Sequence, residues 1–137
     1  MTIKTDFTEE QLFDLLEFWQ PLLRLADWNI ELEVLTMDDM NGTYGNATWQ
    51  MPKREAAVRL ADPKTFGRNT VVRDSEVTLV HELFHIVTAG ICDKLDGDFT
   101  RQEGEVFIEQ PTEATSKALV WLRRNGGYTF EWEKESS

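Results

Sequence analysis

The stretch Val80-His81-Glu82-Leu83-Phe84-His85-Ile86 constrains this chain more than any other, because it places two imidazoles four residues apart inside a run that reads as helix. Residues four apart on a helix lie one above the other. His81 and His85, the only histidines in the chain, can therefore reach a single metal ion together. Glu82 follows His81 directly, which sets a candidate general base beside such an ion. Leu79, Val80, Leu83, Phe84, Ile86 and Val87 surround the motif, so the helix is expected to be buried on most sides. Two imidazoles and a carboxylate in such a place are costly to desolvate without strong partners, and a divalent cation supplies them. The plainer alternative is a pair of hydrogen-bonded core histidines.

At 137 residues the chain is long enough for one domain with a real core and too short for two ordinary ones, so residues 1–137 are read as a single unit. No apolar run approaches the length of a membrane span, and residues 1–6 lack a signal-peptide core, so a cytosolic protein without a membrane partner is expected. The lone Cys92 cannot form an internal disulfide, which agrees with a reducing compartment. A net charge of −11, from 25 acidic and 14 basic residues, argues against binding to nucleic-acid phosphates. It suits a soluble enzyme, a preference for basic peptide segments, or an acidic interaction protein that imitates nucleic acid.

Thr8 is a good N-cap, Gln11 completes a capping box and Phe7 is placed to staple onto Leu12. Leu12, Leu15, Leu16, Trp19, Leu22 and Leu23 recur at helical spacing, so a helix is expected over 8–26, with a kink or restart at Pro21. Strands are expected within about 29–61. Trp28 to Leu35 alternates with period two, and Thr43 to Met51 and Ala56 to Ala61 follow after short turns, which points to an antiparallel meander.

Asp74 or Ser75 can cap a helix over about 75–89 that carries the histidine motif, with Gly90 as its stop and Glu76 complementing its dipole. Residues 91–104 read as a solvated loop, because Asp93, Asp96 and Asp98 do not have the spacing of a calcium loop. A last helix is expected over about 109–124, starting near Glu109 because Pro111 is tolerated in a first turn, and closing with Arg123 and Arg124 at its negative end. Tyr128 to Trp132 alternates like a short strand. The fold class is α+β, with a small antiparallel-rich sheet and about three helices.

A catalytic zinc takes three protein ligands and keeps one position open. With both histidines used, the third is a carboxylate or Cys92, and Glu105, Glu109 and Glu113 stand four apart downstream. Here the sequence resembles the gluzincin metallopeptidases, whose active-site helix bears H-E-x-x-H and whose next helix bears a glutamate followed four residues later by an acid. More narrowly, Trp28-Asn29-Ile30, Ala57-Val58-Arg59-Leu60 and the motif at 81–85 look like the small zincin-like phage proteins that are distant relatives of the ImmA/IrrE domain. The resemblance implies a zincin-like minimal metallopeptidase domain with one zinc held by His81, His85 and Glu109. It also implies Glu82 as general base, Glu113 orienting a ligand histidine, and a peptide or protein substrate. Two departures, Pro111 within the glutamate segment and Glu in place of Asp at 113, leave Glu113 as the alternative ligand. The resemblance also calls for a donor to the developing oxyanion, for which Tyr128, Tyr44 and Arg101 are the candidates. A strand edge is expected to pair with the substrate, and residues 56–61 are the candidate. A regulatory peptidase acting on one repressor is a further alternative.

Overall fold

The computed structural model describes residues 7–67, 71–95 and 100–135. Residues 1–6, Asp96, Gly97 and Asp98 of the expected loop, and the side chain of Arg101 lie outside this set.

Helix α1 spans Glu9–Leu22 and begins as its sequence requires, with the Thr8 side chain accepting from the Gln11 N–H and the Gln11 side chain accepting from the Thr8 N–H. Leu12, Leu15, Leu16 and Trp19 form its buried face. It ends four residues earlier than expected. Pro21 falls in the last turn and introduces no restart, and Arg24 leaves the helix with φ 65°.

Three strands follow: β1 at Asn29–Leu35, β2 at Gly45–Gln50 and β3 at Glu55–Ala61. Their order is β1-β3-β2, with β3 parallel to β1 and antiparallel to β2. The expected meander is therefore corrected to a mixed sheet. The physical reason lies in composition and reach. Glu55-Ala-Ala-Val-Arg-Leu-Ala61 is the least polar strand and takes the centre, while β1 carries Glu31 and Glu33 and β2 carries Asn46, Thr48 and Gln50. The segment between β1 and β2 is long enough to cross the end of β3, a span of roughly 10 Å at the usual strand spacing. Residues 56–61, expected to offer an edge to substrate, are paired on both sides, and the open edges belong to β1 and β2.

Helix α2, Ser75–Val87, carries the histidine motif and is the hub of the fold: it packs on β2, β3, α1 and the last long helix. Asp74 caps it, accepting from the N–H groups of Glu76 and Val77. The helix lies so close to β2 that a Cβ on Gly45 would come within 2.7 Å of Thr78 Cγ2, which explains a glycine there. Leu79, Val80, Leu83 and Ile86 enter a core shared with Trp19, Val58, Leu60 and Val120.

Gly90 does not end the helical run. The break falls at Thr88, whose hydroxyl bonds the Phe84 carbonyl, and α3 continues over Ala89–Leu95 where a loop was expected. The glutamate helix also starts earlier than expected. Thr100 and Glu103 form a capping box of their own, α4 runs over Arg101–Gly104, a π-turn follows at Glu105–Glu109, and α5 spans Gln110–Leu122. Pro111 lacks an N–H and its ring clashes with the carbonyl one turn back, and the wider π-turn ahead of it makes room without ending the helix. The Thr112 hydroxyl then donates to the Ile108 carbonyl at 2.7 Å.

A second π-turn, Arg123–Gly127, ends this run with Gly126 at φ 135°. The expected tail strand is corrected as well: Tyr128 is extended, residues 129 and 130 have no regular structure, and Glu131–Glu135 form α6. Phe130 and Trp132 stack on each other, and Phe130 packs edge-on against Phe18, so aromatic contacts hold this tail to α1. Among the described residues no helix is long and apolar enough to cross a membrane.

Candidate metal centre

The C-terminal half of α2 faces the start of α5 where the helical period predicts. His81 and His85 stand one turn apart on α2, and Glu109 and Glu113 one turn apart across the start of α5. His81 Nε2 lies 2.9 Å from Glu109 Oε2, His85 Nε2 lies 3.1 Å from Glu109 Oε1, and the two Nε2 atoms are 3.2 Å apart. On the other side of the His81 ring, Nδ1 is 2.6 Å from Glu113 Oε2. The two glutamates thus part ways: Glu109 meets the atoms where the imidazoles converge, and Glu113 holds one ring from behind.

His81, His85 and Glu109 form a group whose donor atoms all lie within 4.8 Å of one another. Donors around a tetrahedral zinc stand about 3.4 Å apart when the bonds are near 2.1 Å, so the observed separations are short of that by at most about half an ångström. The chemistry of the set, two imidazole nitrogens and one carboxylate, also fits. Cys92, the other candidate ligand, directs its sulfur to the Thr88 hydroxyl at 3.6 Å and is not part of the group.

Glu82 is 8 % exposed and lines the same cleft of about 580 Å³. Among the described residues no protein donor hydrogen-bonds its carboxyl group, so its oxygens are left to whatever the cleft contains. Burial raises its pKa above the ordinary carboxylate value, and the neighbouring His81 and His85 pull it back in part. A carboxyl group tuned upward by burial beside a water-accessible cleft is what a proton-accepting base requires.

The chain matches no protein-family model, no curated protein and no solved structure.

The two ring contacts have an electrostatic signature. Burial lowers the pKa of His81, but hydrogen bonds to Glu109 and Glu113 and the charge of Glu82 outweigh it and raise the group to about 9. Glu109 is held well below the usual carboxylate range by its bonds to His81 and His85. These two shifts are a single interaction seen from both partners. Without a metal, the site is a hydrogen-bonded ion pair between His81 and Glu109.

The remaining expected residues separate. Tyr128 stacks on Phe18 with centroids 5.0 Å apart and does not line the cleft, so it is not available there as a donor. The attraction of Tyr128 to the aromatic tail outweighs any role suggested by its position after the helix. Tyr44 does line the cleft, but its hydroxyl donates to the Val71 carbonyl. Two basic residues that sequence reasoning did not assign also line it: Arg73 on the segment before α2, and Lys117 on α5. Lys117 was legible as the neighbour of Glu113 one turn on, whereas nothing local in sequence marks Arg73.

A second charged cluster anchors the other end of α2. Glu76, 0 % exposed, accepts from Trp19 Nε1 at 2.8 Å, from Arg123 Nε at 2.6 Å and Nη2 at 2.7 Å, and from Arg124 Nη2 at 2.8 Å. Arg124 also forks onto Asp74, and Arg123 onto Glu133. The two arginines expected to soothe a helix dipole instead tie α5 to the cap of α2, which sets the distance between the helices that bear the site.

Proposed function

We propose that this protein is a zinc-dependent peptidase of the gluzincin type, acting in the cytosol on peptide or protein substrates. One observation carries the reading: both imidazoles turn Nε2 toward Glu109 while Glu113 holds Nδ1 of His81 from behind. Ligand histidines are commonly oriented through their second nitrogen by a carboxylate, and a pair of packed core histidines has no need of two glutamates so arranged.

In this reading His81, His85 and Glu109 hold the metal. Zinc, when bound, activates water and polarises a carbonyl. Glu82 takes the proton of the attacking water on a carboxylate oxygen and returns it to the departing amine, and burial raises its pKa in the direction that this duty calls for. Glu113 keeps His81 in the tautomer that presents Nε2. The substrate lies extended along β2, the open-edged strand whose first residue, Gly45, forms part of the cleft wall.

The test has two readings. Purified protein is expected to retain about one zinc per chain, and Glu82→Gln to abolish peptide hydrolysis with zinc content unchanged. Protein that binds no zinc overturns the whole assignment. Zinc-loaded protein whose biological effect survives Glu82→Gln is instead an acidic metal-binding interaction protein.

A further inference from the structure

The cleft contains a cation that no carboxylate pairs with among the described residues. The chain carries 25 acidic residues against 14 basic ones; of the other described arginines, Arg54, Arg59, Arg123 and Arg124 are each paired with a carboxylate, and Arg24, which makes no ion pair among the described residues, lines a different pocket. Arg73 lines the cleft yet has no ion pair among the described residues. Its sequence neighbour Asp74 is engaged by Arg124 and by the first N–H groups of α2.

The position of Arg73 is also defined. Its guanidinium carbon lies 4.7 Å from the centroid of the Tyr44 ring. That ring is itself pinned, by the hydroxyl donating to the Val71 carbonyl and by an edge contact with Phe66 at 5.4 Å. A guanidinium laid over an aromatic face keeps its N–H edge free for a planar acceptor. Lys117 lines the cleft from α5, 3.9 Å from Glu113 and otherwise exposed. The carboxylates Glu109 and Glu113 are occupied by the histidines, and Val71, Val72 and Val77 supply an apolar lining beside the cations.

We propose that the cleft selects peptides bearing a carboxylate close to the bond to be cut, with Arg73 as the specificity-determining residue and Lys117 as its weaker support. This rests on the peptidase reading above. The carboxylate can be an internal Asp or Glu side chain or the free C-terminus of the peptide, since both present the same planar, bidentate acceptor to a guanidinium.

Binding is measured on zinc-loaded Glu82→Gln protein, which holds peptides without cutting them. Fluorescent octapeptides in which one Glu is walked through every position are compared with their Gln counterparts, each with a free and an amidated C-terminus. One Glu position, or the free terminus, is expected to bind about tenfold more tightly than its neutral isostere, with the advantage shrinking as salt is raised. Adding Arg73→Gln is expected to remove that preference with zinc content unchanged, Arg73→Lys to restore part of it, and Lys117→Gln to reduce it two- to threefold. The position of the preferred acid separates the two sources of carboxylate. Equal binding of acidic and neutral peptides, a preference that survives Arg73→Gln, or no peptide binding at all overturns the proposal. If the preference is found but the unmutated zinc protein cuts none of these peptides, carboxylate recognition stands and the peptidase reading falls. Cleavage of acidic and neutral peptides alike has the opposite meaning.

Discussion

Two charged clusters grip helix α2 against α5, one at each end, and they are built on opposite principles. At the capped end, Asp74, Glu76 and Glu133 meet Arg123 and Arg124 in forked hydrogen bonds, so three carboxylates face two permanent cations. At the histidine end, Glu82, Glu109 and Glu113 meet two imidazoles, and of the two permanent cations that line the cleft, Lys117 is exposed and 3.9 Å from Glu113 while Arg73 makes no ion pair among the described residues. The first cluster is close to electrically complete and sits in the interior. The second is short of positive charge and opens on a cleft. A buried carboxylate without a fixed counter-charge is costly, so the second cluster has to borrow protons, or a cation, from solvent. That contrast supports the zinc proposal independently of the motif.

The largest effect that would sharpen the contrast is catalytic. Removing the proton acceptor by Glu82→Gln is expected to lower kcat by roughly 10²–10⁴, with zinc content unchanged by metal analysis. Close behind, Arg123→Ala in the complete cluster takes two hydrogen bonds from the buried Glu76, which keeps Arg124 and Trp19, and strips Glu133 of its arginine. It is expected to destabilise the fold by about 3–5 kcal/mol in denaturant titrations, with no loss of zinc from the protein that remains folded. Were the same variant to strip the metal first, the two clusters would be one cooperative unit and the comparison would fail.

The pH dependence of the metal-free protein comes next. The folded pKa of His81, about 9, lies above its ordinary 6.5. The stability this provides is therefore fully present below about pH 6.5 and lost as pH rises through 9, about 3 kcal/mol in all. On the acid side, the lowered Glu109 pKa provides stability that is present above the ordinary carboxylate range and lost as pH falls. Zinc must displace the His81 proton, so zinc affinity is expected to rise with pH up to about 9, and the zinc-loaded protein to hold its stability level over the interval where the metal-free protein loses it. Parallel stability curves for the two forms would break the comparison. The smallest effect is that of Glu113→Gln, which removes a support and not a ligand. A loss of about 10–100-fold in zinc affinity is expected, against a greater loss for Glu109→Gln, with chelator competition as the measurement.

Much of the local structure was legible in the chain itself. The Thr8 and Gln11 capping box, the Asp74 cap and the histidine pair on one helical face all depend on neighbours within four residues, and each forms as the sequence reads. Where reading failed, a local signal had been outranked or overlooked. Gly90 looked like a stop, but the helical run breaks two residues earlier at Thr88 and α3 continues past it. Pro111 looked like a start, but a π-turn absorbs it, and the Thr100 and Glu103 box that does start the run passed for loop.

The sequence by itself determined that two imidazoles share a face and that two glutamates share another, because the helical repeat is a property of the backbone. Only the tertiary structure decided which glutamate meets the converging nitrogens and which stands behind the ring, since that depends on how α5 is laid against α2. The same holds for β3 at the centre of the sheet, for Arg123 and Arg124 around Glu76, and for Arg73 over Tyr44. These contacts join residues from 26 to 48 positions apart in the chain, and no period along the chain records them. They follow from the packing of surfaces and the pairing of charges once the core has closed.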